Sequence, residues 1–245
     1  PLAIEGLLAF LLESTFLGIW IFGWDRLPKK LHLASIWAAA MGTIFSAYFI
    51  LAANAWMQHP VGYTINEERG RAELTNIFDV LFQQTALATF AHTIPSAFFT
   101  AGAFMAGVSA WLLVKNREKL MATATAKTGL VTVIIAFLLV AITGDWSARV
   151  MTEQQPMKMA AAEALYETTD SAPFSLLTIG TLDQSRPVFQ IDVPGVLSFM
   201  STGDVNGVVE GINDLQAKYE KEFGAGDYTP NIPLAYWGFR LMIGF

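Results

Sequence analysis

The sequence predicts an all-α integral membrane protein: four transmembrane helices, the start of a fifth, and one large extracytoplasmic loop. Three observations carry this. Apolar runs of bilayer-crossing length recur along residues 1–143, and a helix needs about 20 such residues to cross the hydrocarbon core. Charged residues make up only 15% of the chain against 53% hydrophobic ones, whereas a soluble domain carries roughly a quarter charged residues. The deficit is also uneven. Residues 144–235 read as ordinary water-soluble polypeptide, so the composition shift marks a membrane region followed by an extramembrane insertion.

The first span runs from Leu2 to Gly23, interrupted only by Glu5 and Glu13. The second, Leu33 to Met57, carries no charge, and the third, Leu87 to Val114, has His92 as its single ionisable group. The fourth covers residues 121–143: Thr128 to Thr143 is apolar and extends back to Met121 past Lys127 alone. The loop of residues 144–233 has a predicted helix over Met157–Glu167, rich in good helix formers, and a second near Val208–Phe223. Gly, Pro and β-branched residues between them predict turns and extended chain. A further span begins near Leu234 and occupies residues 234–245. Both ends fall within apolar runs, which predicts a piece of a longer protein. There is no internal repeat.

Lys and Arg in short loops set the orientation of a membrane protein. Arg26, Lys29 and Lys30 in the first loop, and Lys115, Arg117 and Lys119 in the third, lie on one side, which is therefore cytoplasmic. The second loop and the segment 144–235, with 13 acidic and 5 basic residues, then face outward. The absence of cysteine excludes disulfides, thiolate nucleophiles and iron–sulfur clusters. A formal net charge of −6 offers no footprint for nucleic acid.

Few residues remain to carry chemistry. Ionisable groups inside a span are costly and mark ion paths, proton relays or ligands. Glu5 and Glu13 are eight residues apart, hence about 12 Å apart in depth and within roughly 80° around an ideal helix. A lone intramembrane histidine such as His92 is as readily a hydrogen-bonded packing residue, and a methionine such as Met242 is ordinarily core filler. Both spans enter from the outer side, however, so the two residues share a shallow depth, which permits a His/Met axial pair on a haem. His32 and His59 sit at helix boundaries and read as interfacial anchors, as do Trp24, Trp56 and Trp111. Lys158 and Glu163 lie five apart on a predicted helix, where a solvated charged face is the ordinary reading.

Several strings nonetheless resemble one family, subunit I of the cytochrome bd quinol oxidases. They are Pro1-Leu-Ala-Ile-Glu-Gly6, Leu12-Glu13-Ser-Thr-Phe16, Phe22-Gly-Trp-Asp-Arg-Leu27, Asn54-Ala-Trp-Met-Gln58 and Phe90-Ala-His92-Thr93. Gly107-Val-Ser-Ala-Trp111, Lys158-Met-Ala-Ala-Ala-Glu163 and Phe239-Arg-Leu-Met242 follow in family order. The resemblance implies a multi-subunit terminal oxidase in a bacterial or archaeal cell membrane. It would oxidise ubiquinol or menaquinol at the outer face and reduce dioxygen to water.

The resemblance also implies site roles. His92 and Met242 resemble the axial ligands of a low-spin haem b, and Arg240 the arginine that stabilises it. Lys158 and Glu163 match the pair implicated in quinol oxidation. Glu5 resembles the carboxylate at haem d, and Glu13 the deeper acid near a high-spin haem b and the proton route. Implied partners are a second oxidase subunit and small accessory subunits. The family's earlier histidine ligand and later Gly-Arg-Gln-Pro-Trp region have no counterpart here, so one haem alone has its full ligand pair. The loop is compact, as in the short-loop branch. A competing reading from the residues alone is a proton-coupled transporter using Glu5 and Glu13; another is a catalytically silent structural subunit.

Overall fold

Where the apolar runs lie, the computed structural model has long helices; it describes residues 1–181 and 186–244. Four of them are long and apolar enough to cross a membrane: Leu2–Phe22, Lys29–Gln58, Ile77–Val114 and Lys119–Gln154. The chain divides after Gly144 into two units.

In the first unit, the opening span is α1 (Leu2–Ile4), a π-helical stretch over Glu5–Phe10, and α2 (Leu11–Phe22). The wider π turn changes the expected angular relation of Glu5 to Glu13, because each π residue rotates less than an α residue. Such bulges are frequent at functional sites. Then comes α3 (Lys29–Gln58), whose 30 residues rise about 45 Å, enough to carry both ends into the headgroup region. A hairpin follows, β1 (Tyr63–Asn66) on β2 (Arg71–Leu74), with Gly70 at φ 58° closing the turn. The short α4 (Ile77–Leu81) is capped by Asn76, whose side chain accepts from the Phe78 N–H at 3.0 Å. The span α5 (Gln84–Val114) contains Pro95, which denies the Ala91 carbonyl its intrahelical donor.

Small residues set the helix spacing, as expected where lipid removes the hydrophobic drive between helices. A Cβ on Gly42 of α3 would stand 2.8 Å from the Glu13 nitrogen, so α2 and α3 touch backbone to backbone there. Gly102 of α5 and Gly129 of α6 (Lys119–Gln154) meet likewise: a Cβ on either would lie 2.9 or 2.8 Å from the other's carbonyl oxygen. Ala52, Ala55 and Ala86 bury together beside Leu81. The large apolar side chains, such as Leu7, Phe104, Leu120 and Ile142, point outward, as lipid-facing residues do.

The second unit corrects three boundaries. The helix of the fourth span does not stop at Thr143 but continues to Gln154. The helix expected over Met157–Glu167 is α7 (Pro156–Glu163), started by Pro156 in its first turn. It ends because Ala164 takes a left-handed conformation (φ 51°). The Leu165 N–H then reaches back to the Ala160 carbonyl (2.9 Å) and that of Ala164 to Ala161 (3.3 Å), the paired closure of a Schellman cap. The second helix begins later than expected, as α9 (Ile212–Phe223), because Val209 bridges to Thr169 in extended conformation. Between them lie β3 (Phe174–Gly180), antiparallel to β4 (Pro187–Val193), and α8 (Val196–Thr202). The last element is α10 (Ile232–Gly244). Met157 and Ala160 of α7, Ile212 and Leu215 of α9, and Ile232 and Tyr236 of α10 share one buried core.

Candidate functional site

The spacing of that core places the loop's charged residues. Ile232, Tyr236 and Arg240 recur every four residues and so share one face of α10. The first two bury against α7, and Arg240 comes next along the same stripe. There its guanidinium meets the carboxylate of Glu163: Nη2 donates to Oε2 at 2.5 Å and Nη1 to Oε1 at 3.3 Å. The Glu163 side chain is 2% exposed and that of Arg240 11%. The rings of Phe174 and Tyr236 flank the guanidinium carbon at 4.5 and 4.8 Å, a cation–π arrangement. Burial pushes the Glu163 carboxyl above its ordinary value, and Arg240 pulls it back only in part. The Arg240 Nε is buried and meets no acceptor among the described residues. Glu163 is therefore not on a solvated face.

Lys158 is. Five residues of helix rotate the chain by roughly 140°, so Lys158 is exposed while Glu163 is buried. The structure does not bring the two side chains together. Lys158 instead lines a cavity of about 590 Å³ with Gln154, Gln155, Tyr219, Phe223 and Tyr228. The three aromatic rings form a cluster, with centroids 5.7 Å (Tyr219–Phe223), 6.0 Å (Tyr219–Tyr228) and 6.0 Å (Phe223–Tyr228) apart. Gln216 secures it: its amide donates to the Gly226 carbonyl (2.7 Å) and accepts from the Tyr228 N–H (2.9 Å). Sequence reasoning missed this cavity. Its only local sign was the i, i+4 repeat of Tyr219 and Phe223.

In the first unit, Glu5 accepts a hydrogen bond from the Ser46 hydroxyl at 2.7 Å. Glu13 is half-buried beside Gly42. His92 is half-buried, with Nδ1 3.3 Å from the Thr143 hydroxyl, and its Nε2 has no protein partner among the described residues. Nothing in the sequence pointed to Thr143 or Ser46. His32 behaves as an anchor: Nε2 donates to the Trp20 carbonyl at 2.9 Å, and the ring packs on Trp24 with centroids 4.6 Å apart. His59 is exposed. In the second unit, Met242 lies two residues beyond Arg240, turned off the buried stripe, and is exposed.

The described residues contain no group of three His, Asp or Glu side chains suited to a bare metal ion. A porphyrin brings its own equatorial donors and asks the protein for axial ones. Taken residue by residue, the half-buried His92 imidazole with Nε2 unbonded and the exposed Met242 thioether are donor types of that kind. The buried Arg240 N–H without an acceptor is instead a hydrogen-bond donor, suited to an anionic group such as a propionate and not to the iron.

The chain matches the family model described as cytochrome bd terminal oxidase subunit I over residues 1–245. It belongs to that family. Among curated relatives it is 42% identical to "Cytochrome bd ubiquinol oxidase subunit 1" of Bacillus subtilis (strain 168), over all of this chain and 52% of that protein. It is 33% identical to "Cytochrome bd-II ubiquinol oxidase subunit 1" of Escherichia coli (strain K12), over all of this chain and 50% of that one. The bd oxidase of Geobacillus thermodenitrificans superposes with a TM-score of 0.82 at 28% identity, covering all of this chain and 54% of that chain. This bd-family chain thus spans about half the length of the relatives it matches, and it is a multi-pass membrane protein.

Proposed function

We propose that this chain is the quinol-oxidising part of a terminal oxidase subunit. It would draw electrons from ubiquinol or menaquinol at the extracytoplasmic face and deliver them toward the reduction of dioxygen to water. The observation that supports this best is the cavity of the second unit. Its volume lies within the usual range for small-molecule sites, its aromatic cluster suits a planar ring, and Lys158 supplies a cation at its edge. Family membership agrees with it and leaves the transporter reading without support.

Oxidation of a quinol to a quinone releases both hydroxyl protons and both electrons. Lys158 hydrogen-bonds a quinol oxygen and stabilises the developing anion. Glu163 does not line that cavity, so in this reading it takes up a quinol proton by relay rather than by direct contact. Burial raises its carboxyl toward the working pH, where a base is most effective. Arg240 keeps its charged form tolerable. Haem b bound by His92 and Met242, with Arg240 beside it, would supply one-electron acceptance. The neutral thioether of Met242 favours a raised potential. Glu5, oriented by Ser46, serves the dioxygen site, where haem d binds in this reading, and Glu13 relays cytoplasmic protons toward it near a high-spin haem b. The complete protein works with a second oxidase subunit and small accessory subunits. Protons leave outside and are consumed from inside, which builds a gradient.

The test is Glu163→Gln in the full-length subunit with its partners. Quinol oxidation slows while haem content stays intact; turnover at the wild-type rate would return Glu163 to a purely structural ion pair.

A further inference from the structure

We infer that Thr143 is the positioning residue for His92, selecting the ring tautomer whose Nε2 is free to bind iron. The inference rests on the proposed ligation by His92 and adds what holds that ligand ready. A threonine hydroxyl has one proton to donate and lone pairs to accept with. The Thr143 hydroxyl lies 2.6 Å from the Leu139 carbonyl oxygen, one helical turn back, and donates to it. That proton is committed, so at its other contact, 3.3 Å from His92 Nδ1, the hydroxyl oxygen can only accept. Nδ1 must then carry the hydrogen, and the neutral imidazole has its lone pair on Nε2. Iron-binding histidines need this arrangement, in which the other ring N–H is held by a partner that fixes tautomer and orientation.

The next residue supplies the room. A Cβ on Gly144 would lie 3.2 Å from His92 Cε1 and 3.5 Å from Nδ1, so the imidazole edge rests directly on the glycine. Thr143 and Gly144 together thus fix both the proton and the plane of the ring, from a helix 51 positions away in the chain. Side-chain-to-backbone bonding of a mid-helix threonine is common and carries no such meaning by itself. Here the same oxygen is shared with the one ionisable side chain of α5.

The experiment uses the full-length subunit with its partners. Thr143→Val keeps the shape and removes the acceptor. The imidazole becomes a poorer electron donor, and the low-spin haem b midpoint potential rises, with an altered low-spin electron paramagnetic resonance signal. Haem retention weakens by about 10-fold or more, the usual cost of losing such a partner. Thr143→Ser, which keeps the hydroxyl, returns potential and signal to wild type. An unchanged potential and signal in Thr143→Val overturns the inference, as does a Thr143→Ser variant that behaves like Val. His92→Ala separates the two levels. If it keeps the low-spin haem b spectrum, the ligation itself is wrong. If it loses that spectrum while Thr143→Val is silent, only the role of Thr143 falls.

Discussion

Replacing Arg240 with Met should destabilise the loop unit in a way that depends on pH. In the wild-type protein the guanidinium holds a carboxylate that is 2% exposed, through bonds of 2.5 and 3.3 Å. Removing one member of a buried pair leaves an uncompensated charge, at a cost of about 3–5 kcal/mol. Glu163 can escape part of that cost by taking a proton. Its carboxyl already stands above the ordinary 4.5 because burial outweighs Arg240, and without Arg240 it rises further. The sign follows from linkage. Below the unfolded value both states carry the proton, and the penalty is absent. As pH rises above it the unfolded state ionises first, binds fewer protons than the folded state, and stability falls. The deficit of Arg240→Met should therefore be small in mild acid and grow toward neutral pH. Apparent melting temperatures of the complete complex at one scan rate, over a pH series, measure it. Arg240→Met with Glu163→Gln should recover most of the loss, since any effect of Arg240 on bound haem is common to single and double variants. A deficit that is flat with pH, or a double variant as unstable as the single, would refute the reasoning.

Three further outcomes follow from the geometry. Gly42→Ala forces a methyl to within 2.8 Å of the Glu13 backbone nitrogen and should cost about 1–3 kcal/mol as overpacking, seen as a lowered melting temperature. Gly6→Ala, with open space around it, should leave that temperature unchanged. Ser46→Ala removes the hydroxyl that donates to Glu5 at 2.7 Å; dioxygen reduction should slow while quinol reduction of haem b is preserved, and equal slowing of both would disconnect Glu5 from the dioxygen side. Phe223→Ala removes one wall of the Lys158 cavity and should raise the KM for quinol several-fold with haem content unchanged; an unaltered KM would place the quinol elsewhere.

The membrane class, the four spans and the polar insertion were legible because their physics is local. A backbone in hydrocarbon must satisfy its own hydrogen bonds, so a run of about 20 apolar residues has one stable conformation, whatever lies around it. Family strings such as Phe90-Ala-His92-Thr93 and Lys158-Met-Ala-Ala-Ala-Glu163 were equally legible, being contiguous. The helix end at Glu163 was not. The run to Glu167 suits a helix throughout, and only the core packing of Tyr166 and the cap at Ala164 stop it.

The relations between distant residues belong to the tertiary structure alone. Composition gave no warning that Glu163 would be buried rather than solvated, because its partner Arg240 is 77 residues away and reaches it through a stripe that matters only once α10 packs on α7. Lys158 and Glu163, paired by their shared motif, are parted by the rotation of the helix they share. Likewise the proton on His92 is assigned by a threonine 51 residues on, whose own hydrogen is spent within its helix. A sequence specifies which groups exist and how the chain must coil in a bilayer. Which donor meets which acceptor waits on packing, because a hydrogen bond requires two groups within about 3 Å, and only the assembled helices bring them there.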